Sequence, residues 1–197
     1  MHPLNDSWTL WLHLPHDVDW SISSYKKVIT FNTLEDCISL NENINKEIVE
    51  KCMLFIMKNN IKPIWEDPNN CKGGCFSYKI STENVHHVWN KLIYYIVGKS
   101  LTDDEELINC INGISISPKK NFCIIKLWVS DISNLIDHDI YKFINNSINN
   151  SINNPIQYTS NEKTNNINIE KIDPFNIDLI CEIEKQNCVF KMHNVLY

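Results

Sequence analysis

The chain opens on an alternation of apolar and polar positions. Trp8, Leu10, Leu12 and Leu14 alternate with Thr9, Trp11 and His13, the period of a strand with one covered face. Residues 25–31 read as a second strand. Thr33 then stands as an N-cap, with Glu35 and Asp36 in the first turn, where the helix dipole favours anions. Short apolar runs at 52–57 and 75–80 predict two buried strands. The period then changes: Val85, Val88, Trp89, Leu92 and Ile96 share one face at helical spacing, predicting a helix over 82–99 stopped by Gly98. A shorter helix with an acidic start is expected over 103–112, ahead of Gly113.

A strand near Ile114, a turn at 117–121 and a strand over 122–129 come next. In the last of these, alternation puts Phe122, Ile124, Lys126 and Trp128 on one face. An amphipathic helix is predicted over 135–148, through Ile136, Ile140, Phe143 and Ile144. Residues 145–154 (NNSINNSINN) form a low-complexity loop, 156–158 a last strand, and 161–197 a polar, then apolar tail. Irregular mixing of strands and helices over short connections predicts an α+β class with a mostly antiparallel sheet. Residues 1–158 are expected to form the functional domain, and 159–197 a C-terminal extension packed on it.

Composition narrows the classes of function. A chain of 197 residues has room for one core, and no apolar run reaches the roughly eighteen residues of a membrane span. With no cationic-then-apolar start, a cytoplasmic location and eight reduced cysteines are expected. All eighteen basic residues are lysine, and there is no arginine or alanine, against thirty isoleucines and twenty-eight asparagines. Those residues share A/T-rich codons, so an A/T-rich protist or a large DNA virus is the expected source. A net charge of −6 argues against coating long phosphate backbones; any nucleic-acid ligand is small and held locally. There is no Gly-rich phosphate loop, nucleophile elbow or metal-ligand run, so neither an enzyme nor a cofactor is expected. Cys71 and Cys75 lack the further ligands that zinc requires, and His86 and His87 are expected to face water.

The six tryptophans are set in a specific order: HPLNDSWTLW at the start, DVDW at Trp20, KPIWED at Trp65 followed by Gly73-Gly74, then VWNKLIYYIVGK and IIKLW. Together these resemble the mRNA cap-binding translation initiation factor 4E family, over residues 2–130 and more faintly over 131–158. The resemblance implies a curved sheet with three helices on its convex face and a cap slot on the concave side. It implies that Trp20 and Trp65 sandwich the methylated guanine, a cationic ring suited to two indole faces. By the same resemblance Glu66 accepts hydrogen bonds from the guanine N1–H and amine, and Trp128 packs near the N7-methyl group.

Elsewhere the chain departs from the family. Cap triphosphate is held there by arginines and lysines; here Cys75 stands at one such basic position. Lys126, Lys119, Lys120 and Lys72 are the expected replacements, acting as point charges without the arginine fork. The resemblance also implies a convex patch for a helical motif of the scaffold factor 4G, here His2, Pro3, Leu34, Ile38, Asn90, Lys91 and Tyr94. Leu34 stands for a Val, Ile38 for a Trp, and Asn90-Lys91 for a Leu-Glu pair, which points to a dedicated scaffold partner. The tail at 161–197 has no counterpart in the family pattern. The implied function is delivery of capped mRNA to translation initiation by a monomer without membrane contact. The alternative is a divergent relative that sequesters transcripts or partners as a regulator.

Overall fold

The computed structural model describes residues 1–131, 175, 177–181 and 188–193. Seven strands, β1 (Pro3–His13), β2 (Lys26–Thr33), β3 (Met53–Lys58), β4 (Gly74–Ser81), β5 (Ile111–Pro118), β6 (Phe122–Val129) and β7 (Cys188–Met192), form one sheet in the order β2-β1-β3-β5-β6-β4-β7. Every neighbouring pair is antiparallel. The class is α+β, and the sheet is open and curved. The described α-helices are α1 (Leu34–Asn43), α2 (Lys46–Lys51), α3 (Thr82–Val97), α4 (Glu105–Asn109) and α5 (Ile177–Ile180).

Local chemistry accounts for the boundaries. Thr33 caps α1, its hydroxyl accepting from the Asp36 amide at 3.2 Å. α2 was not signalled by periodicity, because six residues are too few to show it. Its start is set instead by the Asn45 side chain, which accepts from the Ile48 amide at 2.9 Å. The helix expected over 103–112 is shorter, since Ile111 already pairs with Val129 as the first residue of β5. At Gly113 the backbone of β3 comes so close that a Cβ would sit 2.4 Å from the Ile56 carbonyl oxygen. The helix at 135–148, the loop at 145–154 and the strand at 156–158 lie outside the described residues.

The main core lies on the helical face, where Trp8, Leu10, Phe76, Tyr78 and Ile80 meet Val88, Trp89 and Leu92 of α3. A smaller cluster of Phe55, Met57 and Trp128 sits on the opposite, concave face, with Trp11, Tyr25 and Met53 packed against it. This corrects the expectation of a strand covered on one face at 8–14: Thr9 and His13, on the concave side, are also buried. The loop after β1 folds back over His13, with the Asp19 carbonyl 2.8 Å from its Nε2, while the Thr9 hydroxyl meets the side chains of Thr30 at 2.9 Å and Asn59 at 3.4 Å. The tail adds β7 to the edge at β4, pairing Gly74 with Met192 and Tyr78 with Cys188. Phe190 packs on Phe76 with ring centroids 4.6 Å apart, and a Cβ at Gly74 would sit 2.7 Å from the Phe190 ring.

Candidate functional site

Two polar loops rise at the concave face, each carrying one tryptophan. In the loop after β1, the Asp19 carboxylate accepts from the Ser21 amide at 2.8 Å and its hydroxyl at 2.9 Å. Those bonds from Ser21 hold the Asp19 carboxyl below its ordinary range. They fix a turn that projects Trp20 outward, 55% exposed. The loop carrying Trp65 is organised by two buried polar residues. Asp67 accepts from the Lys62 amide at 3.0 Å and the Asn69 amide at 2.9 Å. Asn70 donates to the carbonyls of Lys62 at 3.0 Å and Ile64 at 2.9 Å, and accepts from Asn112 of β5 at 3.0 Å. Trp65, 40% exposed, follows directly.

Between the loops lies a slot of about 500 Å³, a size that suits a single nucleotide-scale ligand. Trp20, Trp65, Glu66, Trp128, Lys119 and Lys126 all line it, together with Tyr25, Phe55 and Ser115. The floor is a chain of edge-on aromatic contacts, Tyr25 to Phe55 at 5.3 Å and Phe55 to Trp128 at 6.4 Å. Trp128 is buried, and its indole N–H donates to Ser115 Oγ at 2.9 Å, which fixes the ring. Burial, helped by the charge of Glu66, pushes the Tyr25 phenol up to about 12, so it stays a hydrogen-bond donor. Lys126 Nζ lies 5.9 Å from the Trp65 ring centroid, as the alternation along β6 anticipated. Lys120 and Lys72 are exposed and do not line the slot. Alternation along β6 orders Lys126 toward it, whereas nothing local orients those two.

Sequence reasoning missed Lys191 and His193. Lys191 Nζ stands 5.3 Å over the Trp65 ring, and His193 contacts both Trp65 and Trp128. Alternation across 188–193 was the available signal, since Phe190, with Cys188 and Met192, faces the helical core, while Lys191 and His193, out of phase with them, face the slot side. Burial between the rings pushes the His193 imidazole down to about 4; Lys126 and Lys191 add to this, while the Asn70 carbonyl and Glu66 oppose it. Unfolded, the ring titrates near its ordinary 6.5, so between about 6.5 and 4 the unfolded chain holds the extra proton. Stability is therefore full above 6.5 and falls as pH drops through that window, by about 3 kcal/mol in all. Chemical denaturation at pH 7, 5.5 and 4 is expected to show this slope, and His193→Phe to flatten it.

On the helical side, the His2 imidazole Nδ1 lies 2.8 Å from the Glu35 carboxylate, and the Leu34 amide donates to the His2 carbonyl at 2.8 Å. Pro3 is exposed beside them, and Leu34, Ile38 and Tyr94 present exposed apolar side chains. Asn41 binds α1 to α3 by donating to the Asn90 carbonyl at 3.1 Å; Asn90 and Lys91 are half-buried. His86 does not face water as expected: it is half-buried, with Nε2 at 3.3 Å from the Ile44 carbonyl oxygen. Cys37, Cys52, Cys71, Cys75, Cys110 and Cys123 are free thiols, and the described residues hold no group of three or more His, Cys, Asp or Glu placed for a metal ion. No described helix is long and apolar enough to cross a membrane.

Comparison with known proteins agrees with this architecture. The complex of C. elegans eIF4E-3 with the 4E-binding protein Mextli and cap analog superposes at a TM-score of 0.68, with 22% identity, covering 98% of this chain and 92% of that one. Ascaris suum eIF4E-3 with m2,2,7G cap superposes at 0.61 with 26% identity, covering 84% and 94%. Eukaryotic translation initiation factor 4E of Eremothecium gossypii is 31% identical over 138 residues, 66% of this chain and 64% of its own length. The initiation factor 4E homolog of Acanthamoeba polyphaga mimivirus is 28% identical over 135 residues, 58% of this chain and half of its own length. The chain thus spans between half and two thirds of these two relatives. Residues 3–173 match the sequence profile of Eukaryotic initiation factor 4E, and the protein belongs to that family.

Proposed function

We propose that the protein reads the 7-methylguanosine 5′ cap of mRNA and recruits capped messages for translation initiation. The observation that carries this is the slot itself. Two half-exposed indoles from separate loops and one exposed carboxylate, Glu66, share it over a rigid aromatic floor. Trp20 and Trp65 stack on the two faces of the cationic base, where indole quadrupoles favour positive charge. Glu66 accepts from the guanine N1–H and amine, a charge-assisted pair that adenine does not offer. Trp128 packs near the N7-methyl group. Lys126 and Lys119 hold phosphate oxygens, and Lys191, close over Trp65, joins them from the tail. No bond is made or broken. The m2,2,7G and m7G caps bound by the Ascaris relative, 26% identical, support this reading.

Recruitment runs through the exposed patch of Leu34, Ile38 and Tyr94 beside His2, Pro3, Asn90 and Lys91, taking a helical scaffold segment of the 4G kind. Ile38 covers less surface than the indole expected there, which favours a dedicated partner. It equally suits a regulatory relative that sequesters messages. Intrinsic tryptophan fluorescence titrated with 7-methyl-GTP, with GTP as control, tests the cap reading. Strong quenching by the methylated ligand at concentrations where GTP has little effect is expected; equal responses would overturn it.

A further inference from the structure

Each slot tryptophan has a buried histidine lying flat against it. His13 stacks on Trp20 with centroids 4.4 Å apart and planes within 5°. His193 stacks on Trp65 at 5.6 Å and 10°. The imidazoles are 0% and 3% exposed, and neither lines the slot. One face of each indole is therefore covered from within the protein, while the exposed remainder is left for a ligand. Each histidine is also tied to the loop that carries its tryptophan. His13 Nε2 donates to the carbonyl of Asp19, the residue before Trp20, at 2.8 Å. His193 Nδ1 donates to the carbonyl of Asn70, in the loop of Trp65, at 3.0 Å, and its backbone amide donates to the Gly73 carbonyl at 2.9 Å. A carbonyl partner demands an N–H on the bonded nitrogen, so the two rings carry it on opposite nitrogens.

The remaining nitrogens, His13 Nδ1 and His193 Nε2, are buried with no hydrogen-bond partner among the described residues. An unsatisfied buried polar atom costs stability that a purely packing side chain would avoid. The arrangement nevertheless occurs twice, once at each indole, from strands at different positions in the sheet and from distant points in the chain. Tyr25 also lies against His13 at 4.8 Å, and Trp128 against His193 at 4.9 Å, so each imidazole joins a plate to the floor.

We propose that His13 and His193 are positioning residues for cap recognition, each holding one indole plate flat so that imidazole, indole, guanine, indole and imidazole form one five-ring stack. This rests on the cap reading above. An exposed indole on a loop loses rotamer freedom when a ligand freezes it, and that loss reduces affinity. Stacking against a buried ring that is itself packed on the aromatic floor, at Tyr25 or Trp128, removes most of this loss before the ligand arrives. Parallel plates also set the spacing at which a cationic ring meets both indole faces, so the effect falls on the methylated base more than on neutral guanine.

The test compares wild type with His13→Leu, His193→Leu, His13→Phe and His193→Phe, titrated calorimetrically with 7-methyl-GTP and with GTP. The Leu variants, which lose the ring, are expected to bind 7-methyl-GTP roughly three- to tenfold more weakly, the range an aromatic pair supports. The Phe variants keep a ring without the hydrogen bond and are expected to recover to within about twofold. A change in general stability alone would not produce this rescue, nor a larger loss for the methylated ligand. Leu variants that bind as wild type does, or Phe variants no better than Leu, would overturn the positioning role while leaving cap binding intact. Wild type without preference for 7-methyl-GTP would overturn both. Should the Leu variants fail to fold, imidazole ¹⁵N resonances of the wild type decide. Those of His13 and His193 are expected to move on addition of 7-methyl-GTP while that of exposed His87 does not; unmoved resonances would overturn the proposal.

Discussion

Trp65→Ala is expected to weaken 7-methyl-GTP binding roughly 30- to 150-fold, as about 2–3 kcal/mol of stacking and cation–π attraction is lost. Binding of unmethylated GTP should fall by far less, because a neutral base forfeits only the stacking part. The selectivity for the methyl group therefore collapses along with the affinity. The fold should survive. Trp65 is 40% exposed, and its described ring contacts are one stacked imidazole and the ammonium groups of Lys126 and Lys191. Removing it leaves no buried polar group without a partner, since Asn70 and Asp67 hold the loop through backbone groups. A thermal midpoint within a few degrees of wild type, beside the lost affinity measured by calorimetry, would separate a recognition defect from a folding one. An unchanged affinity would show that the second plate is not Trp65.

Much of this site was legible locally. Alternation along 122–129 put Lys126 and Trp128 on one face, and both line the slot. The cap at Thr33 and the apolar stripe of α3 were equally direct, because each is a pattern within one element. That Trp20 and Trp65 approach one another came only from resemblance, since the two lie on loops that different strands bring together. What escaped notice has the same physical origin. β7 is five residues long and pairs with a strand more than a hundred positions earlier, a register that no local period records. His193 reaches Trp65 and Trp128 only through that pairing. His13 looked like the outward residue of a half-buried strand, because what covers it is the loop that presents Trp20. His86 looked solvent-facing for a similar reason: α1 ends against it and supplies the Ile44 carbonyl.

Asn70→Ala is expected to lower stability by about 3–5 kcal/mol, a drop in Tm on the order of 10 °C, and to weaken cap binding as well. Asn70 is completely buried, and its amide is matched on both sides. The nitrogen donates to the Lys62 and Ile64 carbonyls, and the oxygen accepts from Asn112. Alanine leaves both carbonyls without these bonds inside the protein, removes one of two acceptors from the Asn112 amide, and opens a small void. Asn70→Asp separates shape from hydrogen bonding. Its side chain fits the same space, but an ionised carboxylate would aim an acceptor at two carbonyl oxygens, so it should do no better than alanine. The functional loss follows from position: the Ile64 carbonyl belongs to the peptide that leads directly into Trp65, and the Asn70 backbone carbonyl holds His193 behind that indole. Where Trp65→Ala would separate affinity from stability, Asn70→Ala should lose both, because one buried amide fixes the chain entering the plate while its own backbone anchors the ring behind it. Thermal denaturation and 7-methyl-GTP calorimetry on the two variants give that contrast directly, and a full Tm in Asn70→Ala would show that the loop is held by other means.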